Sequence, residues 1–202
     1  SRPAAAGTKP NKAKEKSGME FMKVIGLTGG IASGKSTASA YLRELGAVIV
    51  DADAISRAST RRGGAAFEAV CAAFGDILGA EDEDARRKLN SIVHPAVMAE
   101  SRAQIENARA SGVKMCILDV PLLFETGMEK LCDETWLIYV PREEQIRRMA
   151  ERDGLDAAAA AARIDSQMPL EEKLKRADVA IDSSGTIEQT REKLRRLWEE
   201  RT

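Results

Sequence analysis

Histidine occurs once in the 202 residues, cysteine three times, and aromatic side chains make up only 4%. The lone His94 with Cys71, Cys116 and Cys132, none in a CxxC spacing, cannot assemble a recognisable zinc set. Odd, scattered cysteines argue against a disulfide-stapled secreted fold and suit a reducing cytoplasm. No apolar run approaches the ~18 residues needed to cross a bilayer, and the amino terminus lacks a secretory apolar core, so no membrane partner is expected. Lys and Arg number 31 against 32 Asp and Glu, so the positive excess of a nucleic-acid-coating protein is missing as well. What is present, 44% hydrophobic and 31% charged residues, fits an ordinary globular chain with enough length for a real core.

Residues 1–21 carry Pro, Gly, Ser and four lysines with no hydrophobic periodicity, and are expected to be a disordered leader or an appended segment. Folded patterning starts at Met22. The run from Met22 to Thr28, then Ala47 to Val50, Val113 to Leu118, Thr135 to Val140 and Val179 to Ile181 read as buried strands. Helical patterns cover Ser36 to Gly46, about 53–74, about 84–110, about 142–176 and about 186–201. Strands this continuously apolar, alternating with helices, predict an α/β fold with a parallel sheet covered on both faces. The helical stretches at 53–110 and 142–176 exceed simple crossovers and are expected to form an acceptor-binding lobe and a lid.

The strongest chemical signal is Gly29-Gly30-Ile31-Ala32-Ser33-Gly34-Lys35-Ser36, a G-x-x-x-x-G-K-[ST] pattern between a strand and a helix. Glycines let the backbone wrap a phosphate, the helix N-terminus adds partial positive charge, Lys35 can neutralise phosphate oxygens, and Ser36 can ligate Mg²⁺. A nucleoside triphosphate is the expected ligand. Asp51-Ala52-Asp53 closes the second strand, where open α/β sheets bind ligands. Either aspartate could be a base or Mg²⁺ anchor, or simply cap the next helix. Asp119, opening Asp119-Val120-Pro121-Leu122-Leu123-Phe124-Glu125, also ends a strand and can face phosphates or Mg²⁺, with Leu122 to Phe124 as core or pocket wall. Arg148 and Arg152 share a helix face and can clamp a phosphoryl group, or form a solvated face with Glu144 as partner to Arg148.

These segments together, with Ile92-Val93-His94-Pro95, Gln145, Arg152-Asp153-Gly154-Leu155, Arg163-Ile164, Gln167 and Ala180-Ile181-Asp182, resemble the dephospho-coenzyme A kinase family from Met22 to about Trp198. The resemblance implies a P-loop kinase core in residues 22–202, with the acceptor-binding lobe at about 54–111 and the lid at about 142–168. It implies transfer of the ATP γ-phosphoryl group to the ribose 3′-hydroxyl of dephospho-coenzyme A with Mg²⁺. ATP would be held by Gly30, Ile31, Ala32, Ser33, Gly34, Lys35, Ser36 and Thr37, with Ser36 toward the metal. Asp53 would be the base, Lys35 and Arg148 or Arg152 would act on the phosphoryl group, and Asp53, His94, Asp119 and Leu122 would meet the acceptor.

One departure from the family pattern falls at Asp76 to Arg86, which is shorter than usual by well over ten residues. Either a segment is missing from the sequence as read, or the lobe is truly shortened and Glu81-Asp82-Glu83-Asp84 opens the next helix. Two rival readings share the donor half: a nucleoside or nucleoside-monophosphate kinase, and a nucleotide-dependent switch. The Asn-Lys-x-Asp element by which switch GTPases read guanine does not occur.

Overall fold

The computed structural model describes residues 21–74 and 83–202; the leader at 1–20 and most of the short stretch 76–86 lie outside the described residues. Five strands form one all-parallel sheet: β1 (Lys23–Gly29), β2 (Val48–Asp51), β3 (Met115–Asp119), β4 (Glu134–Tyr139) and β5 (Val179–Asp182), in the order β2-β3-β1-β4-β5. The chain thus reverses direction across the sheet on either side of β1, which opens a crevice at the carboxyl ends of the strands.

Side-chain alternation builds two cores from these strands. Val24, Cys116 and Leu118 pack on one face with α2 (Ala52–Ser59), α3 (Phe67–Phe74) and α4 (Glu83–Ala110). Ile25, Leu27, Met115, Ile117, Trp136 and Ile138 pack on the other, against Ala38 and Leu42 of α1 (Lys35–Glu44) and Leu194 of α8 (Ile187–Glu199). Both faces are covered, which is why β1 and β3 are apolar at nearly every position. A reciprocal capping box between Thr186 and Gln189 fixes the start of α8.

One helical stretch is more broken than its periodicity predicts, and another resolves into the separate helices expected of it. The pattern at 53–74 divides into α2 and α3 over a turn at 60–66, where Gly63 has φ +81° and Gly64 lies against the backbone of Ala58 and Ser59 too closely for a Cβ. The stretch 142–176 divides into α5 (Arg142–Asp153), α6 (Ala157–Asp165) and α7 (Leu170–Arg176). Gly154, at φ +66°, stops α5, and Pro169 precedes α7. The third strand starts at Met115, not Val113, because Gly112 at φ +76° ends the turn after α4 and residues 113–114 still lead back to the sheet. α4 begins at Glu83, so the last two acids of the tetrad do open the next helix. A 3₁₀ turn at Met128–Leu131 has no counterpart in the sequence pattern.

Candidate active site

β1 delivers the glycine-rich loop to the crevice. Ser33 N–H donates to Gly30 O at 3.2 Å, Ala32 adopts φ +58°, the sole non-glycine with positive φ among the described residues, and Gly34 follows at φ +85°. Gly34 is the N-cap of α1 and offers no side chain, so no side-chain cap bond closes the helix start. The orphan amides of that first turn, reinforced by the helix dipole, are the donors an anion needs. A cleft of about 800 Å³ opens over this loop, lined by Gly29 to Thr37 together with Asp53, Pro121, Arg148, Glu151, Arg152 and Gln167.

Three segments bring charge to it. Lys35 Nζ forms an ion pair with Asp119 at the end of β3, both side chains largely buried. Asp51 and Asp119 are register partners in the parallel ladder, so β2 and β3 end level with each other. The Asp51 carboxylate accepts the Ala54 N–H at 2.9 Å and caps α2. Asp53 makes no such bond and lines the cleft. The ambiguity between the two aspartates is settled to that extent: Asp51 is the cap. Although the Asp53 residue meets solvent on one side, burial of its carboxyl raises the pKa above the ordinary aspartate value. Lys35 pulls it down, Asp51 raises it, Arg57 lowers it and Asp119 raises it.

The two arginines of α5 are placed differently. Arg148 donates to Ala32 O at 3.3 Å, to Ser183 O at 2.9 Å and to Glu144 at 2.7 Å. Its partner Glu144 is pulled down to about 2, chiefly by its bonds to Arg147 and Arg148. Arg152 lines the same cleft but is exposed and paired with its neighbour Asp153.

Other expected residues are not brought to the cleft. Leu123 and Phe124 are core, whereas Leu122 is 39% exposed, and neither it nor His94 is among the cleft-lining residues. His94 sits on α4 with its Nε2 buried and without a hydrogen-bond partner among the described residues. Cys116 and Cys132 pack as small apolar groups, and burial pushes their thiols up to about 11 and about 12.

Sequence reasoning gave no role to a second ring of residues. Gln145 donates to Ile31 O at 2.8 Å, and Ser183 Oγ lies 2.5 Å from Ser33 O and 3.1 Å from Tyr139 O. Lys173, on α7 and almost fully buried, donates to Pro121 O at 3.2 Å and pairs with Glu125 at 3.0 Å, whose carboxylate also accepts Met168 N–H. The usable signals were the spacing of Gln145 and Arg148, three apart on one face of α5, and the position of Ser183 just beyond β5.

Comparison with known proteins matches this arrangement to one family. The family model for dephospho-CoA kinase matches residues 23–82 and 78–189, two pieces that meet in the stretch noted for its shortness. The dephospho-CoA kinase of Carboxydothermus hydrogenoformans is 47% identical over 191 residues, 87% of this chain and 93% of that protein. The crystal structure of TT1252 from Thermus thermophilus superposes with a TM-score of 0.76 at 31% identity, covering 90% of this chain and 99% of that one. The dephospho-CoA kinase from Campylobacter jejuni follows with a TM-score of 0.60 at 25% identity, covering 90% and 98%. With its phosphate loop, its acid-ended strands and a family model spanning most of its length, the chain belongs to the dephospho-CoA kinase family.

Proposed function

We propose that this kinase transfers the γ-phosphoryl group of ATP to the ribose 3′-hydroxyl of dephospho-coenzyme A with Asp53 as the base and the Gly30–Thr37 loop as the donor site. The observation that carries the reading is the convergence of Lys35, Asp53 and Asp119, from three segments, at the carboxyl ends of adjacent strands. Asp53, ionised, accepts the proton of the acceptor hydroxyl as its oxygen bonds to the γ-phosphorus and the bond to the β–γ bridging oxygen breaks, releasing ADP. Lys35 and the loop amides meet the charge shed onto the leaving phosphate, where oriented donors in a shielded site act most strongly. Arg152, exposed and tied among the described residues to Asp153 alone, is placed to swing onto the transferring group, while Arg148 stays engaged with the loop.

The donor set suits Mg²⁺, which keeps several waters and takes few protein oxygens beside phosphate. No cluster of metal-binding His, Cys, Asp or Glu occurs among the described residues, and Ser36, at the start of α1, lines the cleft. Ser36 would hold the ion, which neutralises phosphate charge when bound. The acceptor lobe comprises α2 to α4, about 54–111, and acceptor contacts are assigned to Asp119, which pairs with Lys35, and to His94 and Leu122, which stand outside the cleft lining. The lid comprises about 142–168. A cytoplasmic location and the small-molecule substrates ATP and dephospho-coenzyme A complete the proposal; among the described residues no helix is long and apolar enough to cross a membrane.

The test is ADP formation from Mg²⁺-ATP with dephospho-coenzyme A, nucleoside monophosphates, nucleosides or no acceptor. Turnover that depends on dephospho-coenzyme A, with product carrying a 3′-phosphate, is expected. Equal turnover without acceptor would instead identify a switch or a plain hydrolase.

A further inference from the structure

We propose that Gln145 is a positioning residue that sets the phosphate-binding loop from outside, together with Arg148 and Ser183. The proposal rests on the reading that Gly30–Thr37 hold the donor phosphates. Three successive carbonyls of the loop each meet a side chain from another segment: Ile31 O receives Gln145 Nε2 at 2.8 Å, Ala32 O receives Arg148 at 3.3 Å, and Ser33 O receives Ser183 Oγ at 2.5 Å. A trans peptide points its C=O and its N–H in opposite directions. Holding those three oxygens outward therefore turns the amides of Ala32, Ser33 and Gly34 the other way. Ser33 N–H is taken by Gly30 O, while the amides of Ala32 and Gly34 donate to no protein acceptor among the described residues.

The outside ring is itself fixed. Gln145 is buried, and because Ile31 O can only accept, the amide nitrogen must be the end that faces it. Arg148 is oriented by Glu144 and joins the ring to the backbone of Ser183. The αL conformation at Ala32 is costly for a residue with a Cβ, and such geometry persists only where its surroundings over-determine it. The ring supplies that determination. Gly30 belongs to the same device: a Cβ there would run into Gln145 Nε2, so a side chain at Gly30 would expel the Gln145 amide.

The experiment measures equilibrium affinity for ADP and for AMP by calorimetry, and KM for ATP and for dephospho-coenzyme A, on wild type, Gln145→Met, Gln145→Ala, Gly30→Ala and the pair Gly30→Ala with Gln145→Ala. Wild type should prefer ADP over AMP, since the loop engages the β-phosphate. Gln145→Met should bind ADP about 3- to 10-fold more weakly, the size of one lost hydrogen bond, with AMP affinity unchanged. KM for ATP should rise and KM for dephospho-coenzyme A should not. Gly30→Ala should show the same pattern, and the double variant should lose no more than the larger single loss, because both act on one contact. A merely structural role would lower the active fraction and kcat while leaving both affinities of the folded protein intact. That result, or additive losses, overturns the proposal, and Gly30→Ala decides it if Gln145→Met does not fold. Absence of any ADP preference in wild type would overturn the loop assignment itself, and the proposal with it.

Discussion

Asp51 accepts an amide proton and starts a helix; Asp53, one step further on, is left to the cleft with its pKa raised by burial and by the charges of Asp51 and Asp119. That division predicts different consequences for two small substitutions. Asp53→Asn should cut turnover by ~10²–10⁴-fold, the usual contribution of a general base, with little change in melting temperature because the cap is elsewhere. Asp51→Asn keeps a good cap, since asparagine serves that position as well as aspartate does. It also removes a like charge beside Asp53, so the Asp53 pKa should fall. A base works only when ionised, so activity is present above its pKa and lost as pH drops through it. The acid limb of kcat/KM in Asp51→Asn should therefore move to lower pH, and an unmoved limb would mean that another group titrates there. The stability sign is opposite. The raised folded pKa makes ionising Asp53 a cost to the fold, absent below the ordinary aspartate pKa and felt as pH rises through the raised one.

At the scale of elements, the central strand is shaped by what crosses it. Gly26 sits in β1 where an added Cβ would lie 2.7 Å from Cys132 Sγ and 2.8 Å from Leu123 Cδ2. Gly26→Ala should destabilise by about 1–3 kcal/mol through overpacking, read as a lower denaturation midpoint at unchanged slope. No sequence pattern announces this glycine, because the groups it accommodates lie about a hundred residues away. Elements themselves were legible: every strand and the long α4 lie within a residue or two of where the apolar runs place them. The breaks were less so. The Gly63–Gly64 turn interrupts a stretch whose helical pattern was read as continuous over 53–74, so periodicity alone carried the helix through. The phosphate loop was legible in full because its chemistry is local to eight residues. The outer ring at Gln145, Arg148 and Ser183 was not, since it exists only once α5 and the residue after β5 have folded up to the loop that follows β1.

For the molecule as a whole, the Lys173–Glu125 pair joins α7 to the segment after β3 and holds Pro121, which lines the cleft. Lys173 has almost no contact with solvent. Glu125→Ala should cost about 3–5 kcal/mol in urea unfolding, because it strands a buried ammonium group. Replacing both partners, Lys173→Met with Glu125→Leu, should recover most of that loss. If the single substitution proves harmless, the pair is not the tie it is drawn to be. Lys35 and Asp119 stand 84 residues apart and meet only through strand order, which no local pattern in the chain specifies. Which acids would face Lys35 was therefore beyond spacing arguments, although the ends of the strands were the right place to look.

The strand order also partitions rigidity. β1 is bonded on both sides, to β3 and β4, while β2 is an edge strand bonded to β3 alone. Amides of β1 should exchange with deuterium only on global unfolding, whereas those of β2 should exchange through smaller openings, a difference that native-state exchange in dilute denaturant would resolve. The loop proposed to hold the donor grows from a strand bonded on both sides, and the carboxylate proposed to activate the acceptor follows an edge strand. Opening of that edge would displace the base before it loosened the loop, so such an excursion would pause the chemistry while the nucleotide stayed bound.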